Sequence, residues 1–204
     1  MLRIGLTGGI ACGKSLIAGF FRESGVPVVD DDAAARDAVA VGTPGLAAVV
    51  AEFGAEVLGP EGALDRPKLG RIVFADDRLR RRLMGVTFPF IGKLVLERIA
   101  EAESSGAPMV VYESALLVEN GQADGWRPLV VVSTTREVQL ARLCARNGLS
   151  PEEAQNRIRS QFPLAEKVAL ADVVIENAAS PAEARRRFEE VFAELSTAAR
   201  GVLV

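Results

Sequence analysis

Short runs rich in Val, Ile and Leu recur at Leu2 to Thr7, Val26 to Asp30, Met109 to Tyr112, Leu129 to Val132 and Val173 to Ile175. None alternates polar with apolar positions, so each predicts a strand buried on both faces. The longer segments between them carry helical spacing. Strands alternating with helices predict an α/β fold, a five-stranded parallel sheet sandwiched by helices.

Helix starts are signalled by a second kind of residue. Thr134 with Glu137, Ser150 with Glu153 and Ser180 with Glu183 each match the capping box, with Pro151 and Pro181 at the first helical position. A last helix from about Pro181 to Ala199 gathers Ala184, Phe188, Val191, Phe192 and Leu195 on one face, leaving Arg185, Arg186 and Arg187 as a solvated surface. From Pro44 to Ser105 no strong strand signal appears. Helices are predicted there over Gly45 to Phe53, Pro67 to Phe74 and Arg78 to Ser104, the last bent near Pro89. The chain thus reads as a single domain over residues 1–204, with a core of 1–43, 106–146 and 170–204 and a helical insertion over 44–105.

Composition narrows the chemistry. The chain has 204 residues, 24 basic against 27 acidic for a net charge of -3, two cysteines and no histidine. Without imidazole there is no Ser-His-Asp or Cys-His pair, no histidine-containing zinc site and no histidine proton relay. The near-balanced charge argues against nucleic acid as a partner. No apolar run approaches the roughly 20 residues of a membrane span, and no leader pattern precedes Ile10. Cys12 and Cys144 are too few for a disulfide framework, and a reducing cytoplasm is the predicted location.

Thr7-Gly8-Gly9-Ile10-Ala11-Cys12-Gly13-Lys14-Ser15 contains the phosphate-loop pattern G-x-x-x-x-G-K-[ST], directly after a strand and before a helix. Gly8 and Gly13 let the backbone turn consecutive N–H groups inward around a phosphate, at a helix N-terminus that favours an anion. Lys14 reaches the β and γ phosphates, and the Ser15 hydroxyl is placed to ligate the magnesium that bridges them. Cys12, a thiol at a helix start, is expected to have a lowered pKa and to be shielded from alkylation by ATP.

Phosphoryl transfer is mostly positioning and charge neutralisation, so it needs no histidine. Asp30, Asp31 and Asp32 follow the second strand at the sheet edge where open α/β folds bind ligands; the alternative reading is that one or two of them cap the next helix, and all three cannot, because a helix has one N-cap. Glu113 ends the third strand, as a water-mediated support for magnesium or as a structural hydrogen-bond partner. Arg142 and Arg146, then Arg157, Arg159 and Gln161, follow the fourth strand, where nucleotide kinases close an arginine-rich lid over the phosphates.

These residues resemble the dephospho-CoA kinase family, over nearly the whole chain. The resemblance is carried by Gly5-Leu6-Thr7-Gly8-Gly9-Ile10 with Gly13-Lys14-Ser15, by Val28-Val29-Asp30-Asp31-Asp32, and by Gly62-Ala63-Leu64-Asp65-Arg66. Leu116-Leu117-Val118-Glu119, Gln139 with Arg142, Arg157 with Gln161, and Ala171-Asp172-Val173-Val174-Ile175 with Asn177 complete it. The resemblance implies transfer of the γ-phosphate of ATP, with Mg2+, to the ribose 3′-hydroxyl of dephospho-CoA. It implies Asp32, Lys14 and Arg142 as catalytic residues. ATP would be bound by Gly8, Gly9, Ile10, Ala11, Cys12, Gly13, Lys14, Ser15 and Leu16, with Arg146 and Asn177. Thr7, Asp32, Leu116, Glu119, Arg159 and Gln161 would face dephospho-CoA, the insertion would form the CoA-binding part, and residues 147–169 the lid.

The sequence departs from that family at Ala11-Cys12, where Gly-Ser is usual, at Glu113-Ser114-Ala115, where Asp-x-Pro is usual, and at Phe88, where a histidine is usual. Two other readings therefore stand beside the first: another P-loop kinase for a nucleoside, nucleotide or small metabolite, and a catalytically weakened ATP-binding module. The oligomeric state is open, with a monomer favoured.

Overall fold

A computed structural model describes residues 1–74 and 76–202; Ala75, inside the predicted insertion, and Leu203 and Val204, at the end of the predicted core, lie outside the described residues. The strands are β1 (Leu2–Gly8), β2 (Val28–Asp30), β3 (Met109–Glu113), β4 (Leu129–Ser133) and β5 (Val173–Glu176). They form one sheet in the order β2-β3-β1-β4-β5, all parallel, as the uninterrupted apolar runs predict. Parallel β1 lies between β3 and β4, with Leu6 opposite Glu113 on one side and Gly8 opposite Val132 on the other. Burial on both faces holds for β3 and for all but the ends of β1 and β4, whereas the edge strands β2 and β5 are mostly half-buried or exposed.

The helices are α1 (Lys14–Glu23), α2 (Asp31–Asp37), α3 (Pro44–Phe53), α4 (Arg66–Phe74), α5 (Asp77–Ser104), α6 (Arg136–Asn147), α7 (Pro151–Arg159), α8 (Leu164–Ala169) and α9 (Pro181–Val202). The chain divides into two compact units, residues 1–29 with 102–204, and residues 30–101. In the first, Ile4, Leu6, Val130 and Val132 of the sheet pack with Phe20 and Phe21 of α1 and with Phe188 and Leu195 of α9. Phe21 meets Phe188 edge-on at 4.9 Å between ring centres, an arrangement aromatic quadrupoles favour. The arginine run of α9 stays at the surface, with Arg185 3.9 Å over the Phe20 ring and Arg186 and Arg187 paired to Glu190.

The second unit is helical and has its own small core of Val39, Leu46, Val49, Val57, Leu69 and Val73. Helix α5 is continuous across Pro89, where the sequence predicts a bend. Phe88 is 49% exposed, so its ring is not part of this core.

Two of the three predicted capping boxes need correction. The Ser150 and Glu153 box forms in full, with bonds of 3.2 and 2.8 Å. At α6 the cap is Thr135, not Thr134, because the Thr134 hydroxyl is drawn to the carbonyl of Asn177 at 3.0 Å. At α9 Ser180 receives the Glu183 N–H, but the Glu183 carboxylate turns outward to Arg186 instead of closing the box.

Candidate active site

The site in the first unit is built on the turn from β1 to α1. Gly8 sits so close to β4 that a Cβ there would lie 2.6 Å from the Val132 carbonyl oxygen. Gly13, the N-cap of α1, has φ 92° and would place a Cβ 2.0 Å from Asn177 Nδ2. Ala11 takes φ 58°, a left-handed conformation that its β-carbon disfavours by about 1–2 kcal/mol.

Side chains from distant elements hold the loop in that shape. Three successive carbonyls are taken from outside: Gln139 Nε2 donates to Ile10 O at 2.8 Å, Arg142 Nη1 to Ala11 O at 3.3 Å and Asn177 Nδ2 to Cys12 O at 2.8 Å. Gln161 Oε1 accepts the Ile10 N–H at 2.7 Å. With the carbonyls fixed on one side, the amides at the start of α1 are left to serve an anion. Gln139 and Asn177 are 4% and 3% exposed, so these bonds are made away from solvent, where a missing partner is most costly.

The acidic end of β3 faces the same loop. Lys14 Nζ lies 2.7 Å from Glu113 Oε1, and Arg22, further along α1, lies 3.2 Å from Glu113 Oε2. Of the two roles read for Glu113 in the sequence, the structure shows it bonded to protein cations. Cys12 is fully buried. Burial pushes its thiol pKa up, outweighing hydrogen bonding from Gly9 and the charges of Arg142 and Lys167. The expected lowering of the Cys12 pKa is therefore corrected: the helix start is there, but the sulfur is enclosed in the core.

The other residues singled out in the sequence are scattered around this centre. Thr7 is buried, its hydroxyl 3.4 Å from the Ala115 carbonyl. Ser15 and Leu16 lie exposed on the first turn of α1. Leu116 is 49% exposed in the segment after β3. Glu119 in that segment pairs at 2.7 Å with Lys167 of α8, which is wholly buried and also donates to Ala115 O at 2.7 Å. Arg159 and Gln161 line a cavity of about 530 Å³ beside the loop, together with Gly9, Gln139 and Leu164. Arg146 is exposed and bonds to Asn147 Oδ1 at 3.0 Å, with no bond to the loop among those described.

In the second unit Asp30 caps α2 by accepting the Ala33 N–H at 3.0 Å, while Asp32 is exposed in the first turn. Of the two readings of the aspartates, the cap applies to Asp30. Sequence reading missed Arg22 and Lys167 as members of the site. An arginine inside an amphipathic helix carries no signal of its own, and a lysine gives none of full burial.

A parallel sheet with this order, a phosphate loop between β1 and α1, and a lysine held beside an acidic β3 end define a P-loop kinase-type protein. The family model of dephospho-CoA kinase matches residues 2–183, and the chain belongs to that family. It is 46% identical over 193 residues to a dephospho-CoA kinase of Arabidopsis thaliana, covering 94% of this chain and 83% of that one. It is likewise 46% identical to one of Geobacter sulfurreducens, covering 94% and 97%. A solved structure from Thermus thermophilus is similar at 35% identity with a TM-score of 0.81, over 95% of this chain and 97% of that one. The dephospho-CoA kinase structure of Campylobacter jejuni is similar at 28% identity and 0.73, over 96% and 97%.

Proposed function

We propose that this chain is an ATP-dependent phosphotransferase acting on an alcohol, which phosphorylates the ribose 3′-hydroxyl of dephospho-CoA to give CoA and ADP. The family match covers most of the chain, and neither a kinase for another acceptor nor an inactive binding module is favoured by it. The observation that carries the reading is the loop itself: carbonyls of Ile10, Ala11 and Cys12 are each held by a side chain, leaving the amides of Gly13, Lys14 and Ser15 for phosphate, before Leu16 N–H turns to the Gly13 carbonyl.

In this reading the 3′-oxygen attacks the γ-phosphorus, the bond to the β–γ bridging oxygen breaks, and ADP leaves with that electron pair. Asp32 takes the hydroxyl proton; its exposure and its place outside the cap support the role. Lys14 and Arg142 neutralise the phosphoryl group, and both already lie at the loop. Leu16, Arg146 and Asn177 complete the ATP side, and Thr7, Leu116, Glu119, Arg159 and Gln161 belong to the acceptor side or its supports.

Magnesium fits the donor set. Among the described residues no group of three or more His, Cys, Asp or Glu is arranged to hold a metal ion. The exposed Ser15 hydroxyl with nucleotide oxygens and water is the hard-oxygen environment this ion takes. When bound, it neutralises charge on the β and γ phosphates. Among the described residues no helix is long and apolar enough to cross a membrane, and Cys12 and Cys144 are both free thiols. We read the protein as a cytoplasmic monomer with no nucleic acid partner, in keeping with its net charge of -3.

The residue roles are tested by Asp32→Asn. ATP binding should persist while transfer falls by about 10²-fold or more, the scale of a positioned base. Turnover close to that of the unaltered protein would take the proton away from Asp32.

A further inference from the structure

Glu113 is 3% exposed, and a buried carboxylate must have its charge compensated in place. Its two oxygens are divided between two cations, Lys14 at 2.7 Å and Arg22 at 3.2 Å. Lys14 is 14% exposed and Arg22 45%. The two cations stand about two turns apart on one helix, so they reach the same carboxylate from the same side. Lys14 is therefore wanted twice, by Glu113 in the structure seen here and by the phosphates of a bound nucleotide.

We propose that Glu113 and Arg22 form a counterion switch for Lys14, with Arg22 as a positioning residue that lets Lys14 leave Glu113 for the nucleotide. The proposal rests on Lys14 being the phosphate lysine of the reading above. When Lys14 turns to phosphate, Glu113 loses its nearer partner. Arg22 remains on the other oxygen and keeps that buried charge compensated. Its planar guanidinium offers several donors, so it can take up what the ammonium gives away. Remove Arg22, and Lys14 is the one cation left on Glu113 among the described residues, held there against ATP. The length of the glutamate side chain matters as well, because an aspartate carboxylate at this position would start one methylene farther from both cations.

The experiment is a double-mutant cycle on ATP affinity, measured on the full chain with a fluorescent ATP analogue displaced by ATP, with and without magnesium. Arg22→Gln should weaken ATP by about threefold, the size expected of one partly exposed ion pair. The effect should fall on KM for ATP more than on kcat, and Arg22→Lys should restore it. Glu113→Gln should not weaken ATP, and in that background Arg22→Gln should have no effect, whether or not magnesium is present. Should Glu113→Gln fail to fold, Glu113→Asp takes its place in the cycle, and the Arg22→Gln effect should shrink there too.

An equal loss from Arg22→Gln in both backgrounds overturns the switch, since Arg22 would then act on the nucleotide through its own field. So does an Arg22→Gln protein with unaltered ATP affinity. A loss of affinity in Glu113→Gln confined to magnesium-containing buffer would give Glu113 to the metal and overturn it as well. Unaltered protein that binds no ATP overturns the phosphate-loop reading, and the switch with it. ATP binding without coupling between the two positions overturns the switch alone.

Discussion

Asn177 donates to the carbonyl oxygen of Cys12 at 2.8 Å, joining the residue after β5 to the middle of a loop 165 positions earlier in the chain. Both partners are buried, so no solvent molecule replaces the donor readily. The same amide nitrogen closes the space above Gly13, where any side chain would collide with it. One bond thus fixes the loop's outer carbonyl and forces glycine at the helix start.

Replacing Asn177 with Leu should leave the Cys12 carbonyl buried and unsatisfied, at about 1–3 kcal/mol. We expect KM for ATP to rise by about tenfold, with a lowered melting temperature. Unchanged KM and stability would show that the bond does not hold the loop.

Ala11 gives the opposite kind of prediction. Its φ of 58° is disfavoured for a residue with a β-carbon. Glycine would remove that penalty of about 1–2 kcal/mol, offset by roughly 0.5–1 kcal/mol of extra entropy in the unfolded chain. Ala11→Gly should therefore raise the melting temperature by about 1–3 °C and leave ATP turnover intact. A clear fall in melting temperature would contradict a strained loop.

The two cysteines should differ sharply in alkylation. Cys144 is half-buried, whereas Cys12 is enclosed and its thiol pKa is raised by burial. Mass spectrometry after iodoacetamide at pH 8 should find Cys144 labelled first, and Cys12 labelled only as the protein unfolds, with or without ATP. The folded thiol binds its proton more tightly than the unfolded one. Stability from this group is thus present at neutral pH and declines as pH rises past the ordinary thiol range of about 8.5–9. Rapid labelling of Cys12 in the folded protein would overturn this.

Much of this site can be read in the sequence because its centre is contiguous: Gly8 to Ser15 supply the turn, the lysine and the helix start within one short segment. The sheet is equally plain, since inner parallel strands must be apolar on both faces. The clamp is harder to read. Gln139 and Arg142 come from α6, and Gln161 and Asn177 from the segments after α7 and β5; the cluster after the fourth strand marks Arg142 and Gln161, whereas only the resemblance drew attention to Gln139 and Asn177. The cap of α6 went to Thr135 because Thr134 is engaged by Asn177, a tertiary contact that local pattern cannot contain. Lys167 and Arg22 were missed for the same reason. Their partners, Glu119 and Glu113, are 48 and 91 residues away.

The most direct measurement of the central claim is product analysis with unaltered protein, magnesium, ATP and dephospho-CoA. Chromatography should find ADP and CoA formed in equal amounts, and phosphorus NMR should place the new phosphate on the ribose 3′-oxygen. No ADP above the level seen without acceptor, or faster transfer to an unrelated alcohol, would contradict the account.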